Sequence, residues 1–425
     1  MKKLLWLFFI LLIGFIGLIY FSVSSTDKKF ETATIRDFED LENIDFQEHD
    51  SVLVAASSLY ESDPLKDIMQ GKNYREAWAM PVKVPLLFLD TLYGGMEIVK
   101  EGGGTQTHSL RIKDKDGSLY SLRSVNKDPS THVPEFARSL GLENIVIDAI
   151  SASHPYGALL SASLSEKAEV LHTHPKVVFV PKQDFLGEKY NEKYGNRLFL
   201  LEYETEGEKN WTDYENVNEI LDTKHLQELK EKHHDKVSID KNALVRARLF
   251  DLLIGDWDRH AKQWGWVIQE KDNTFKAIPV AGDRDNAFFK LGGVIPGIIS
   301  NENIEPEVRP FEKEIDYMPG LVYPNDVYFL TETPVEIFTT EAENLQKLMT
   351  DVAIADAFKV WPKEIYEIDG KEITEKLKFL RDNLVEYAKA FHRIIAEKEL
   401  LNEPLKGSED IEISSGLVKC FECGN

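Results

Sequence analysis

The chain has 425 residues with 50 basic and 73 acidic side chains, which gives a net charge of −23 at pH 7. A chain of this length buries a large core and exceeds one small domain. Nucleic-acid backbones are bound by basic patches, and the sequence has no basic stripe, so we predict no nucleic-acid partner.

The first predicted element is an apolar helix. Residues 4–21 are apolar or glycine and follow Lys2 and Lys3. As a helix this run spans about 27 Å, close to the thickness of a bilayer's hydrocarbon core. The two lysines predict a cytoplasmic N-terminus, with the main domain outside the cytoplasm. We predict an uncleaved single-pass membrane anchor over 1–25, contacting the membrane through residues 4–21. A cleaved signal peptide is the alternative, because small residues follow at 22–24.

A glycine-rich stretch follows the anchor. Residues 26–50 are polar and acidic and predict a tether, and residues 94–128 predict three strands with glycines between the first two. Glycine has no Cβ, so backbone N–H groups there can approach a phosphate, although a merely flexible hairpin is the alternative. The residues assigned to nucleotide binding in this loop are Gly102, Gly103, Gly104 and Gln106.

The third of these strands carries two cations, Arg123 and Lys127. In a nucleotide-binding fold, a cation on the third strand holds the phosphates and an acid on the following helix holds the cation. The following helix is predicted over 142–153, and Asp148 is the candidate acid, with Glu143 as the alternative.

Two motifs contain metal-ligand residue types without a full ligand set. His172 and His174 have no evident third ligand in the sequence, so we interpret them as structural residues. Cys420 and Cys423 are the only cysteines, and a zinc site needs about four ligands, so a local disulfide is expected.

The rest of the chain is organised around residues 247–266. Apolar residues at helical spacing end at Gly255, and a dense polar cluster follows. A hairpin is predicted from 264–268 and 275–280, and a second acidic cluster begins at its end. Carboxylates together with an amide are ligands for Mg²⁺, usually shared with phosphate oxygens. The candidate residues of the two clusters are Asp258, Arg259, His260, Gln263, Asp283 and Asp285.

These elements predict an α+β protein with two lobes. Residues 51–205 form a β-rich lobe with the glycine-rich loop, and an acidic exit after Tyr203 predicts a hinge. Residues 206–400 form a helical lobe with both polar clusters, and residues 401–425 form a tail.

This order of elements resembles the protein-kinase-like fold over roughly residues 52–400. The sequence Asp258-Arg259-His260 is similar to the D-R-H loop of the secretory-pathway Fam20 kinases, HipA-type kinases and phosphatidylinositol kinases. Residues 283–288 resemble the D-x-D-x-x-F motif of the spore-coat CotH kinases. The motifs G-D-W-D-R-H and D-R-D-x-A-F-F also resemble an uncharacterised bacterial family that is sometimes attached to a metallophosphoesterase.

The resemblance implies ATP and either Mg²⁺ or Mn²⁺ as cofactors. It makes Asp258 the acid–base or positioning residue of a catalytic loop, with Arg259 and His260 as further catalytic residues. It assigns metal binding to Asp283, Asp285 and the amide of Gln263. Three features depart from the pattern: Gln263 is one methylene longer than the usual Asn, Arg123 stands where Lys is usual, and ATP is scarce outside a bacterium's cytoplasm.

Three functions follow from this interpretation. The first is a membrane-anchored, extracytoplasmic kinase-like phosphotransferase that acts on a protein, sugar or lipid. The second is a pseudokinase or ligand-binding scaffold of the cell envelope, without catalysis. The third is a metal-dependent hydrolase, which leaves the glycine-rich loop and the hinge without a role.

Overall fold

The computed structural model describes residues 2–26, 32–38, 44–102, 107–128, 133 and 135–423, and over these the chain is a mixed α+β protein. The strands are β1 Thr34–Ile35, β2 Ser51–Ala55, β3 Val82–Pro85, β4 Glu97–Gly102, β5 Ser109–Lys113, β6 Leu119–Ser124, β7 Lys176–Val180, β8 Arg197–Tyr203, β9 Val217–Asp222, β10 Val237–Ile239, β11 Trp264–Lys271 and β12 Thr274–Ala281. The helices are α1 Lys2–Ser22, α2 Pro64–Gln70, α3 Arg75–Ala79, α4 Glu135–Ser139, α5 Glu143–Asp148, α6 Gly157–Lys167, α7 Gly187–Tyr194, α8 Thr223–His233, α9 Lys241–Ile254, α10 Val294–Ile299, α11 Pro324–Leu330, α12 Val335–Leu348, α13 Asp351–Ala357, α14 Lys363–Ile365, α15 Lys371–Asp382, α16 Leu384–Glu397 and α17 Ser415–Lys419.

The largest sheet contains the three strands predicted around the glycine-rich loop. Its order is β4-β5-β6-β8-β7, and every neighbouring pair is antiparallel. Leu110, Ile112 and Leu122 are fully buried, while the adjacent residues Arg111 and Arg123 are partly exposed. Side chains of a strand alternate between its two faces, so one face of this sheet builds a core and the other is polar.

A second sheet follows the predicted hinge. Its order is β10-β12-β11-β9, and the predicted hairpin is β11 with β12, closed where Lys271 lies opposite Thr274. Strand β10 runs parallel to β12. The part of the chain predicted as a helical lobe therefore contains a four-stranded sheet as well as its helices.

Helix α9 carries the chain to the first polar cluster. Its first turn is capped by the Asp240 side chain, which accepts a hydrogen bond from the Ala243 N–H at 3.0 Å. The helix ends at Gly255, which has a left-handed φ of 63°, and a Cβ there would lie 2.6 Å from the Phe311 side chain. Both facts require glycine, and the backbone turns sharply out of the helix into the loop that follows.

The helices after residue 324 form the core around α9. Helices α12 and α16 pack against each other and against α9, with Leu345 and Phe391 fully buried between them. Asn383 separates α15 from α16, so residues 371–397 form two consecutive helices.

Helix α1 is long and apolar enough to cross a membrane, judged by length and composition; a signal sequence meets the same criterion. Leu4, Trp6 and Ile13 are 76%, 71% and 68% exposed, and large apolar side chains are exposed along most of its length. A helix on a water-soluble protein buries an apolar stripe, so α1 has the surface of a segment surrounded by an apolar medium.

Where it is described, the segment 26–50, predicted as a tether, is folded against the rest of the chain. Strand β1 pairs with β2, and Phe46 is buried in the main core, as is Ile35 of β1. A mostly polar composition does not exclude docking, because a few apolar side chains suffice to anchor such a segment.

The segment 401–425, predicted as a tail, is also docked where it is described. Leu405, Leu417 and Phe421 are buried, and the Phe421 N–H donates to the Tyr328 carbonyl at 3.0 Å. Cys420 and Cys423 form the expected local disulfide.

Candidate active site

A cleft of about 240 Å³ lies against the polar face of the five-stranded sheet. Its walls come from four places in the sequence: strands β4 to β6, Thr173 before β7, the exit from β8 at residues 202–205, and the two loops that flank the β11–β12 hairpin. Residues lining the cleft are Lys100, Gly102, Thr107, Ser109, Arg111, Ser121, Arg123, Thr173, Glu202, Tyr203, Glu204, Thr205, Lys262, Gln263, Gly282 and Asp283.

Four residues predicted from different motifs line this one cleft: Gly102, Arg123, Gln263 and Asp283. Gly103, Gly104 and Gln106 lie outside the described residues.

Arg123 is the cation at the centre of the cleft wall. Its guanidinium binds the Glu202 carboxylate at 2.5 Å and also forms an ion pair with Asp283. Burial lowers the pKa of Arg123, but the two carboxylates outweigh burial, so the pKa is raised and the side chain stays charged. Burial raises the pKa of Glu202 more than Arg123 and Thr173 lower it.

Glu202 is the acid that sequence reasoning missed. In the β6–β8 register, Arg123 lies opposite Leu200 and Ser121 lies opposite Glu202, so Arg123 and Glu202 are diagonal neighbours on one face. No local pattern identifies this pair, because it exists only once the two strands are known to be adjacent.

Asp148, the acid predicted to hold Arg123, does not form that pair. Its carboxylate is fully buried and binds both terminal nitrogens of Arg75, at 2.8 and 2.5 Å, with Lys66 Nζ at 3.6 Å. Thr26 donates to the same carboxylate at 3.3 Å. Asp148 therefore connects α5 to α2, α3 and the segment after α1. The predicted pair between Asp148 and Arg123 is wrong.

The acidic loop after β12 is held by the two predicted cations. Lys127 Nζ lies 2.9 Å from the Asp285 carboxylate, and Arg123 pairs with Asp283, whose backbone is left-handed with a φ of 54°. Burial raises the pKa of Asp283, but the neighbouring Arg123 and Lys127 lower it by a larger amount, to about 2. For Asp285, burial and the neighbouring Asp283 outweigh Lys127, and the pKa is raised.

The acidic loop is joined to the loop that carries Gln263. The Gly282 N–H donates to the Gln263 carbonyl at 3.0 Å, and Gln263 and Asp283 both line the cleft. A side-chain amide oxygen and two carboxylates fit the oxygen preference of Mg²⁺ or Mn²⁺. Gln263, Asp283 and Asp285 are the residues that would hold such an ion.

Arg259, predicted as catalytic, is fully buried and positions the loops instead. It donates to the Gly282 carbonyl at 2.8 Å and to the Gln263 carbonyl at 3.3 Å. Its Nε lies 3.2 Å from the Asp251 carboxylate. Arg259 thus joins α9 to both loops of the site, and a guanidinium surrounded in this way has no access to a substrate.

Asp251 on α9 is the second residue that sequence reasoning missed. Its carboxylate lies 3.0, 3.2 and 2.9 Å from nitrogens of Arg248, Arg259 and Arg284, and its side chain is fully buried. Burial raises the pKa of Asp251, but the three arginines lower it by a larger amount. The carboxylate therefore stays charged. The available signal was a charged pair, Arg248 and Asp251, within an otherwise apolar helical run.

Asp258 and His260 are partly exposed, with 3.7 Å between a carboxylate oxygen and ring Nε2. Burial lowers the pKa of His260 more than the Asp258 carboxylate raises it, so the ring is neutral at pH 7. Asp258 lies in the loop between Gly255 and Gln263, so this loop carries a solvent-accessible carboxylate that can accept a proton or a hydrogen bond.

No protein-family model matches the sequence, and no curated protein matches it. Similar solved structures include two bacterial proteins. The Helicobacter pylori proinflammatory kinase CtkA has 12% identity and a TM-score of 0.37, over 69% of this chain and 95% of that one. HipA of Shewanella oneidensis, solved with HipB and operator DNA, has 11% identity and a TM-score of 0.32, over 74% and 68%. Both similarities are too low to indicate a function for this chain.

Proposed function

We propose that the chain is a membrane-anchored kinase-like phosphotransferase, which uses ATP with Mg²⁺ or Mn²⁺ on an acceptor outside the cytoplasm. The observation that carries this proposal is the meeting of Gly102, Arg123, Gln263 and Asp283 in one cleft. Phosphoryl transfer requires positioning and charge stabilisation more than covalent chemistry, and these residue types provide both.

Each group has a defined task in this proposal. Arg123 binds phosphate oxygens, and Glu202 orients its guanidinium through their ion pair. Gln263 and the acidic loop hold the divalent ion, which neutralises phosphate charge when bound. Asp258 orients the acceptor hydroxyl or takes its proton, and Arg259 keeps the two loops at a fixed spacing.

The membrane part of the proposal is supported by α1. Its apolar surface and its length suit a bilayer, and Lys2 and Lys3 favour a cytoplasmic N-terminus. The acceptor would then be a protein, sugar or lipid of the cell envelope.

One observation favours a pseudokinase or ligand-binding scaffold as the second candidate. The Asp283 carboxylate, needed for a metal ion, is already bound by the Arg123 guanidinium, and Lys127 binds Asp285. Two cations beside two carboxylates can replace a metal ion electrostatically, and such a site binds ligand without a catalytic metal.

The experiment uses the full chain in detergent micelles, with thermal unfolding measured with and without ATP and Mg²⁺ or Mn²⁺. A ligand that binds only the native state stabilises it by about 2.7 kcal/mol at a hundredfold excess over Kd. This stabilisation raises the melting temperature. Arg123→Ala should reduce the nucleotide-dependent shift. Arg393→Ala is the matched control, since Arg393 is exposed on α16, and it should keep the full shift.

Phosphate transfer to envelope extracts, followed by mass spectrometry, separates the two candidates. A melting shift together with transfer supports the phosphotransferase. A shift without transfer by the wild-type chain supports the scaffold, and the absence of any shift with nucleotide or metal contradicts the nucleotide site itself.

A further inference from the structure

His172 and His174 gain a third potential ligand in the folded chain. Glu166 on α6 lies beside them, with 3.9 Å between its carboxylate oxygen and His172 Nε2. The two imidazole rings are 4.2 Å apart between centroids. One ligand atom from each of the three side chains lies within 4.8 Å of the other two. The expectation that the two histidines lack a ligand partner therefore no longer holds.

His172 is oriented as a metal-binding histidine is. Its Nδ1 lies 3.3 Å from the Val170 carbonyl oxygen, which accepts a hydrogen bond and fixes the proton on Nδ1. Its Nε2 is buried and has no hydrogen-bond partner in the described part of the chain. Metal-ligating histidines commonly donate one ring N–H to a backbone carbonyl and bind the ion through the other nitrogen. A buried ring nitrogen without a partner is otherwise unfavourable.

The spacing suits a small tetrahedral ion. Nitrogen and oxygen ligands lie about 2.0–2.2 Å from zinc, so two of them around a tetrahedral ion are about 3.4 Å apart. Glu166 and His174 are exposed and can rotate to close the remaining distance of at most about 1.4 Å, whereas His172 is fixed by burial. We propose that Glu166, His172 and His174 bind one Zn²⁺ ion, a site separate from the candidate active site.

The surroundings of the three ligands leave room for a fourth. They line a groove of about 630 Å³, together with the aromatic side chains of Tyr203, Trp211 and Tyr214. Three protein ligands leave one tetrahedral position for water or for a small ligand.

A second group of similar composition, Glu206, Asp222 and His225, lacks these features. Asp222 caps α8 by accepting from the His225 N–H at 2.8 Å, and its carboxylate also lies 2.8 Å from the His225 ring. Asp222 and His225 already bind each other and Glu206 pairs with Arg111, so this group serves as the internal comparison.

The site adjoins the candidate active site through Thr173 and through Ala281. Thr173 stands between the two histidines and donates to the Glu202 carboxylate, and its carbonyl accepts from the Tyr203 N–H at 2.9 Å. His172 also bridges to Ala281, two residues before Asp283. Bound zinc would therefore stabilise the loop that supports Glu202 and the start of the acidic loop.

The test uses the full chain in detergent, from which metal is first removed with a chelator. The chain is then titrated with Zn²⁺ in the presence of excess Mg²⁺. Mg²⁺ occupies sites made of oxygen ligands, so the titration reports sites with imidazole. We expect one zinc ion per chain by elemental analysis, and a tetrahedral absorption spectrum when Co²⁺ replaces zinc. Glu166→Gln and His174→Gln should each weaken zinc binding by at least about 10-fold.

His225→Gln is the matched control and should bind zinc as the wild type does. Both variants at the proposed site change exposed side chains, so folding is preserved and can be checked by circular dichroism. The proposal is overturned if the wild type binds no zinc at micromolar concentration. It is also overturned if neither variant weakens binding, or if only His225→Gln does. None of these results depends on phosphotransferase activity.

Discussion

Asp258 is the accessible carboxylate of the loop after α9, 27% exposed, and in the proposed mechanism it acts on the acceptor. Asp258→Asn keeps the shape of the side chain and removes its ability to accept a proton. We expect turnover to fall by about 10²–10⁴-fold, while nucleotide binding is retained. The measurement is phosphate transfer by mass spectrometry alongside the nucleotide-dependent melting shift. Asp272→Asn, in the exposed turn of the β11–β12 hairpin, is the control and should retain turnover. Equal turnover in the two variants would remove Asp258 from the mechanism.

Asp283 and Asp285 differ in ways that predict unequal roles. Asp283 lines the cleft and has a pKa of about 2, whereas the pKa of Asp285 is raised and its carboxylate pairs with Lys127. We expect Asp283→Asn to weaken Mn²⁺ or Mg²⁺ binding by at least about 10-fold and to do so more than Asp285→Asn. Isothermal titration with each metal in the presence of ATP measures the difference. A larger loss in Asp285→Asn would make Asp285 the principal ligand.

Asp251 neutralises three buried arginines and should be essential for stability. Asp251→Asn leaves Arg248, Arg259 and Arg284 without this counter-charge in a dry environment. Breaking a buried ion pair by removing one partner costs about 3–5 kcal/mol. We expect a loss of this size in chemical unfolding experiments. Asp235→Asn removes the same charge from an exposed position and should change stability by less than about 0.5 kcal/mol. Similar stabilities for the two variants would contradict the role given to Asp251.

At the scale of elements, patterns confined to one segment predicted the structure well. The three strands around the glycine-rich loop, the hairpin β11–β12 and the helix α9 ending at Gly255 are all present. Each follows from alternation, a turn or a helical stripe, which are properties of neighbouring residues. The partners of charged residues were not predictable in this way. Arg123 pairs with Glu202 and not with Asp148 because strand order, which depends on the whole sheet, decides which side chains meet.

The burial of Arg259 was not predictable from a local pattern either. A D-R-H sequence predicts a functional loop, but it does not say which of its side chains faces inward. The structure buries Arg259 and leaves Asp258 and His260 partly exposed. Burial depends on the packing of α9 and β12 against the loop, which no residue pattern within the loop records.

Helix α1 leads to a prediction at this scale. Its exposed apolar surface should hold the full chain in the membrane fraction, and high salt should not release it, because apolar burial is insensitive to charge screening. Deleting residues 2–22 should release the chain into the soluble fraction. Replacing Lys2 and Lys3 with Gln is the control that leaves the apolar surface intact and should preserve membrane retention. Full-length chain in the soluble fraction would contradict the anchor.

At the scale of the whole molecule, the described parts of segments 26–50 and 401–425 are docked on the main core. The sequence predicted a tether for the first segment, because it is polar and acidic, and a tail for the second. Their apolar contacts are sparse, and such contacts are not recognisable until the surface that receives them has formed.

Deleting residues 401–425 should destabilise the molecule. The buried side chains of Leu405, Leu417 and Phe421 would be lost, each contributing about 1.5–3 kcal/mol. We expect a lower melting temperature and aggregation on heating, measured by light scattering. The control is the pair Asp410→Asn and Glu422→Gln, which removes only ion pairs with Lys224 and Lys241 and should have a small effect. An unchanged melting temperature after deletion would mean that the docked segment does not contribute to stability.

The docked C-terminal segment also constrains the order in which the protein can fold during synthesis. The ion pair between Lys241 and Glu422 joins residues 181 positions apart, and Ser414 donates to Glu231 across 183 positions. A ribosome or a translocation channel releases Lys241 and Glu231 long before it releases their partners. Helix α8 and the start of α9 therefore emerge with an uncovered surface, and this surface remains open to chaperones until residues 414–422 arrive. Completion of this part of the fold must await those residues.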